Sequence, residues 1–288
     1  MRWTPGGTSS DIEDERGSSG GGFGKAPLGI GGALVLLVLS LIFGRNFFTL
    51  VDNSPRTATP ASQSGTVAES PQEHREVQLV SFVLDDVQST WDSLLPQQAN
   101  RPYTHAKLVL FRDAYRSPCG FAESATGPFY CPEDEKVYID LSFYDELKSR
   151  FGAPGEFAQA YVLAHEVGHH VQDILGISGR VERAIRSDPQ NRNALSVRLE
   201  LQADCLAGVW GHSGQERNLL EPGDLDAGLA AASAVGDDRL QRMAGRGVNP
   251  DSFTHGSSRE RQAWFRRGFA SGRLSDCDTF ASGADVQE

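Results

Sequence analysis

One apolar stretch, Tyr161-Val-Leu-Ala-His-Glu-Val-Gly-His-His-Val171, constrains this chain more than any other segment. Its apolar context predicts a buried helix. A buried helix cannot carry imidazoles and a carboxylate unless something compensates them. Four residues turn a helix through about 400°, so His165 and His169 lie about 40° apart on one face. Their rings can meet on one metal ion. Glu166 is rotated by about 100° and can reach a water on that ion, whereas His170, about 140° from His165, is turned away.

Two histidines do not complete such a site, because a catalytic zinc takes three protein ligands and keeps one position open. The next apolar helix supplies Glu200-Leu-Gln-Ala-Asp204, whose two acids are spaced i, i+4 and share a face. Glu200 is assigned as the third ligand. Asp204 is assigned as acceptor for the far nitrogen of a ligating histidine, which fixes its tautomer. Either pair alone could be a solvated helix face, but two such pairs on apolar helices call for a divalent cation, and Zn2+ suits this donor set. Glu166 is then the general base for water attacking a carbonyl. The developing oxyanion needs a donor. His255, just ahead of a capped helix, is the candidate; a loop histidine packed on that helix is the plainer account. Tyr130, Tyr138, Tyr144 and Tyr161 are the other possible donors.

Upstream, the 288-residue chain changes character. Residues 1–25 are rich in Gly, Ser and acids, and composition predicts a disordered cytoplasmic leader. Ala26 to Phe43 is uncharged and as a helix spans roughly 27 Å, close to the hydrocarbon thickness, so residues 26–44 are expected to form a transmembrane helix. A cleaved signal peptide would have a shorter apolar region and a short basic lead. Residues 45–76 read as a flexible tether, and residues 77–288 as the zinc-binding domain. Slightly more basic residues before the span than after it place the domain outside the cytoplasm. The net charge of −11 argues against a nucleic-acid partner.

The four cysteines, Cys119, Cys131, Cys205 and Cys277, form no C-x-x-C pair. In an exported domain an even count suggests two disulfides. Sequence proximity favours Cys119 with Cys131 and Cys205 with Cys277, but three connectivities remain open. Helices are expected over 77–95, 142–151, 156–175 and 194–210, in an Ala-rich segment capped by Asp224, and after a capping box at Ser257. Strands are expected over 106–111 and 136–141, with 119–132 as a loop. The fold class is α+β, mostly helical with a small sheet, preceded by one membrane span. By analogy with zincin-type peptidases, Val137 to Leu141 would be the edge strand that pairs with substrate.

Several segments together resemble the bacterial neutral zinc metallopeptidases, membrane-anchored proteins of the zincin class. They are Asp11-Ile-Glu-Asp-Glu-Arg-Gly17, the apolar span, Gly127-Pro-Phe-Tyr-Cys-Pro132 and Val137-Tyr-Ile-Asp-Leu141. The rest are His165-Glu-Val-Gly-His-His170, Leu199-Glu-Leu-Gln-Ala-Asp-Cys205 and Thr254-His-Gly256 before Trp264-Phe265. The resemblance implies a membrane-associated zinc peptidase acting on peptides or proteins, with His165, Glu166, His169 and Glu200 in its motif positions. Two other readings fit the same residues: a non-catalytic zinc-binding scaffold at the membrane, and a zinc amidase acting on a non-peptide or cell-wall amide.

Overall fold

Helix α1 (Pro71–Ala99) begins where Ser70 accepts a hydrogen bond from the Glu73 amide and a proline occupies the first turn. It ends at Asn100, in the left-handed conformation. Val80, Leu84, Val87, Trp91 and Leu95 recur at helical spacing and are fully or almost fully buried. Each such side chain contributes about 1.5–3 kcal/mol by leaving water. The structure, a computed structural model, describes residues 1–17, 67, 69–123 and 127–281.

A four-stranded sheet packs beside the helices in the order β1-β2-β6-β5, from β1 (Ile12–Asp14), β2 (Lys107–Phe111), β5 (Phe129–Cys131) and β6 (Lys136–Asp140). The first three in that order run parallel, with Leu108 paired to Ile12 on one side and to Val137 on the other. β5 is antiparallel to β6. Strands β3 (Ala114–Ser117) and β4 (Gly120–Glu123) form a separate hairpin. The α+β class holds, but 119–132 is not a loop, because β4 and β5 lie in it. Nor is Val137 to Leu141 an edge: β6 is paired on both sides, and β5 is the edge strand.

Residues 1–17 are not a disordered leader. Ile12–Asp14 extend the sheet, and Arg16 is buried, bridging Asp14, Glu69 and Glu73. This pairing also removes the single-pass anchor. One membrane crossing over 26–44 would leave Ile12 and Leu108 on opposite faces of the bilayer, yet they are neighbours in one sheet. Residues 26–44 lie outside the described ones. Among the described residues no helix is long and apolar enough to cross a membrane. The extracytoplasmic placement drawn from that span falls with it.

The remaining α-helices among the described residues are α2 (Ser142–Ser149), α3 (Glu156–Ile174), α4 (Ile177–Ser187), α5 (Arg192–Glu216), α6 (Asp224–Ala234), α7 (Asp237–Met243) and α8 (Ser258–Ser271). Helix α8 begins with the expected capping box between Ser257 and Glu260. Asp224 is not the cap of α6; Gly223 is. Helices α5 and α8 cross at two glycines. A Cβ on Gly208 would stand 2.2 Å from the Phe265 carbonyl oxygen, and one on Gly268 would stand 1.9 Å from that of Cys205. Only glycine permits this approach, which brings the start of α8 against the acidic face of α5. The disulfides are Cys119–Cys131 and Cys205–Cys277. The second spans 72 positions in sequence and stabilises the fold by roughly 4 kcal/mol through the lost freedom of the unfolded chain.

Candidate functional site

Helix α3 lies in the core, with Phe157, Ala158, Leu163, Val167 and Val171 all fully buried. Gly168, between the two histidines, lets α5 approach: a Cβ there would meet the Ala203 carbonyl oxygen at 3.1 Å. Glu200 therefore faces His165 and His169. Its Oε2 stands 3.2 Å from His165 Nε2, and its Oε1 stands 3.6 Å from His169 Nε2. The two rings are nearly perpendicular, 4.8 Å between centroids.

Among the described residues, His165, His169 and Glu200 form the one group of three able to hold a metal ion, their ligand atoms lying within 4.8 Å of one another. Donors held 2.0–2.1 Å from a tetrahedral zinc stand roughly 3.4 Å apart. The Glu200 distances fit that spacing, and two imidazoles with one carboxylate fit zinc by chemistry.

Each histidine is oriented through its other nitrogen. His165 Nδ1 is 2.9 Å from Asp204 Oδ1, and His169 Nδ1 is 2.9 Å from Gln172 Oε1. Both contacts place a proton on Nδ1 and turn Nε2 toward Glu200. Asp204 is held in turn by Arg261, whose Nε and Nη2 donate to its two oxygens at 2.7 and 2.9 Å. Tyr161 adds a short hydrogen bond from its hydroxyl. Arg261 also lies 3.8 Å from Glu200.

The charges follow from this packing. Burial alone would raise the Asp204 carboxyl, but Arg261 and His165 outweigh it and hold it below the ordinary aspartate range. Burial opposes the Glu200 carboxylate too, yet His255, His165 and His169 keep it well below the usual range. Burial depresses His169. It would depress His165 as well, but Asp204 and Glu200 reverse the sign. Glu166 is pushed up to about 7, chiefly by burial, with His165 opposing and Glu200 reinforcing.

His255 sits on the loop before α8, about half exposed, with Nδ1 3.2 Å from Asp237 Oδ1. The other Asp237 oxygen accepts from the amides of Thr254, His255 and Gly256 at 2.6 to 3.0 Å, which fixes the loop. Three of the alternative donors are engaged elsewhere. The Tyr130 hydroxyl meets His170 and Asp173, Tyr138 donates to Asp134, and Tyr161 donates to Asp204. His170 is turned away, between Tyr130 and the Thr104 carbonyl.

Sequence reasoning missed Arg261, Gln172, Gln202 and Asp237. Only Gln172 carried a local signal, three residues beyond His169 on the same helix.

The chain is 47% identical to the uncharacterized protein YpfJ of Escherichia coli (strain K12), a likeness covering 97% of this chain and 99% of that protein. It is 43% identical over 213 residues to the uncharacterized protein Rv2575 of Mycobacterium tuberculosis (strain ATCC 25618 / H37Rv), covering 70% of this chain and 69% of that one. No solved structure matches it. Residues 1–280 match the family model described as "Putative neutral zinc metallopeptidase", and the chain belongs to that family.

Proposed function

We propose that this chain is a zinc-dependent peptidase that hydrolyses peptide bonds, with His165, His169 and Glu200 holding the ion. The observation that carries the reading is the convergence of those three donors beside a buried carboxylate, Glu166, that is not one of them. A bound zinc ion supplies Lewis-acid polarisation of a carbonyl and acidifies a water ligand. Glu166 accepts the proton of the attacking water and delivers it to the leaving amine. Burial pushes that carboxyl up toward neutrality, and a base there suits both transfers. His255, backed by Asp237, donates to the oxyanion as it develops. Edge strand β5 lies against α3, has one side unpaired among the described residues, and offers an extended substrate a strand to join.

The test is metal analysis of the purified chain together with digestion of a broad peptide library. Wild type should hold one zinc per chain and cleave. Glu166→Gln should keep the zinc and lose about 10²- to 10⁴-fold in rate. A zinc-loaded wild type as inert as Glu166→Gln would favour a scaffold that binds metal without turnover.

A further inference from the structure

Behind His169 runs a chain of hydrogen bonds whose direction is forced from its far end. The Cys277 carbonyl can only accept, and it accepts from Gln202 Nε2 at 2.8 Å. That turns the Gln202 oxygen toward Gln172 Nε2, at 3.1 Å. The same Gln172 nitrogen donates to the Leu199 carbonyl at 2.8 Å, next to Glu200. Both its protons are thus committed, and the Gln172 oxygen must face His169 Nδ1. Neither amide can flip without setting donor against donor or oxygen against oxygen, because both are buried, Gln172 fully. Cys277 is fixed by its disulfide to Cys205, on the helix that carries Gln202 and Glu200. Beyond Gln202 and Cys277 lies a largely apolar cavity of about 590 Å³, and the segment around Cys277 is held there by the disulfide together with hydrogen bonds from the Leu274 amide to Gln98 and from Thr279 to the Arg198 carbonyl.

We propose that Gln172 and Gln202 are positioning residues that hold His169 in its metal-binding tautomer, and that the Cys205–Cys277 disulfide anchors them. The inference rests on His165, His169 and Glu200 as the zinc site. The disulfide then has two roles, stability and the setting of metal affinity, whereas Cys119–Cys131, which joins the β3–β4 hairpin region to β5, has only the first.

The experiment measures zinc affinity by competition with a chelator, and the His169 tautomer by 15N NMR, in the full chain. Gln172→Met should weaken zinc about 10- to 100-fold and allow the Nε2–H form of His169, whereas Gln202→Met, which leaves Gln172 held by the Leu199 carbonyl, should weaken it less. Gln172→Met with Gln202→Met removes the orphaned amide, so folding stability should recover while zinc affinity stays low. A purely structural role predicts that both recover together. Cys205→Ala with Cys277→Ala should weaken zinc, and Cys119→Ala with Cys131→Ala should not. Unchanged affinity and tautomer in Gln172→Met, with wild type binding zinc, would overturn the inference. A wild type that binds no zinc would instead overturn the site itself.

Discussion

Two histidines in this molecule are bracketed by carboxylates on both ring nitrogens. His165 lies between Asp204 and Glu200, at 2.9 and 3.2 Å. His105 lies between Asp11 and Asp92, at 2.7 and 2.9 Å. The local chemistry is the same and the settings are opposite. The His165 side chain is 7% exposed and that of His105 is 43% exposed. Around His165 a second imidazole converges and a buried guanidinium balances the acids. Around His105 the added cation is Lys107, half-exposed, which reaches Asp11 at 2.6 Å, while the Gln88 amide donates to the other Asp11 oxygen at 2.7 Å. Burial separates a centre whose charges must all be matched from a clasp whose charges are shared with water. The clasp holds residues 1–17 on the domain; the centre gathers the proposed reacting groups.

The largest effect expected from breaking the buried side comes from Arg261→Met. It leaves the Asp204 carboxylate buried without its main counter-charge, which costs about 3–5 kcal/mol. Urea unfolding should show the unfolding free energy fall by that amount and the midpoint fall with it, and adding Asp204→Asn should restore much of it by removing the orphaned charge. A midpoint unmoved by Arg261→Met would mean that Asp204 is matched by something other than this guanidinium.

Asp204→Asn alone is the next largest. The amide oxygen can still accept from His165 Nδ1, but its nitrogen then faces Arg261 Nε, donor against donor, and the anionic character that strengthens the ring as a ligand is gone. Zinc affinity should drop about 10- to 100-fold. The same acid-to-amide change at Asp11 should leave zinc affinity unaltered. Equal losses at the two brackets would show that burial does not distinguish them.

The two settings were not equally legible in the chain. His165, Glu166, His169, Glu200 and Asp204 come from spacing alone, because helical geometry converts i, i+4 into one face without knowledge of the rest of the fold. Arg261 stands 57 positions from Asp204, and what brings them together is the α5–α8 crossing at Gly208 and Gly268. Nothing local marks those glycines as a crossing. Gln202 was hidden in the same way, since its partner is a backbone carbonyl 75 positions away. The leader misled because composition measures what a segment can bury by itself. Residues 12–14 instead complete an existing sheet edge, and Arg16 borrows its partners from Glu69 and Glu73. The apolar run read as a span for a related reason: hydropathy is local, and the pairing of Ile12 with Leu108 that rules out a single crossing is not.

The smallest expected effect is pH dependence at the exposed bracket. Burial would raise the Asp11 carboxyl, but Lys107 and His105 hold it below its ordinary value of 3.8. Burial would lower His105, but Asp92 and Asp11 raise it above 6.5. The signs then fix a window. The lowered Asp11 contributes stability that is present above about pH 4 and is lost as pH falls through its folded value. The raised His105 contributes stability that is complete below about pH 6.5 and fades as pH rises through its folded value. Residues 1–17 should therefore be held most firmly between about pH 4 and 6.5, and less firmly in high salt, which screens exposed pairs. An NMR titration of His105 checks this: its midpoint should lie above 6.5 in wild type and move down in Asp11→Asn. Amide protection of Ile12 to Asp14, corrected for intrinsic exchange, should weaken above neutrality in wild type but hardly change with pH in the variant. A His105 midpoint indifferent to Asp11 would leave the clasp without its electrostatic part and the parallel with His165 as one of geometry only.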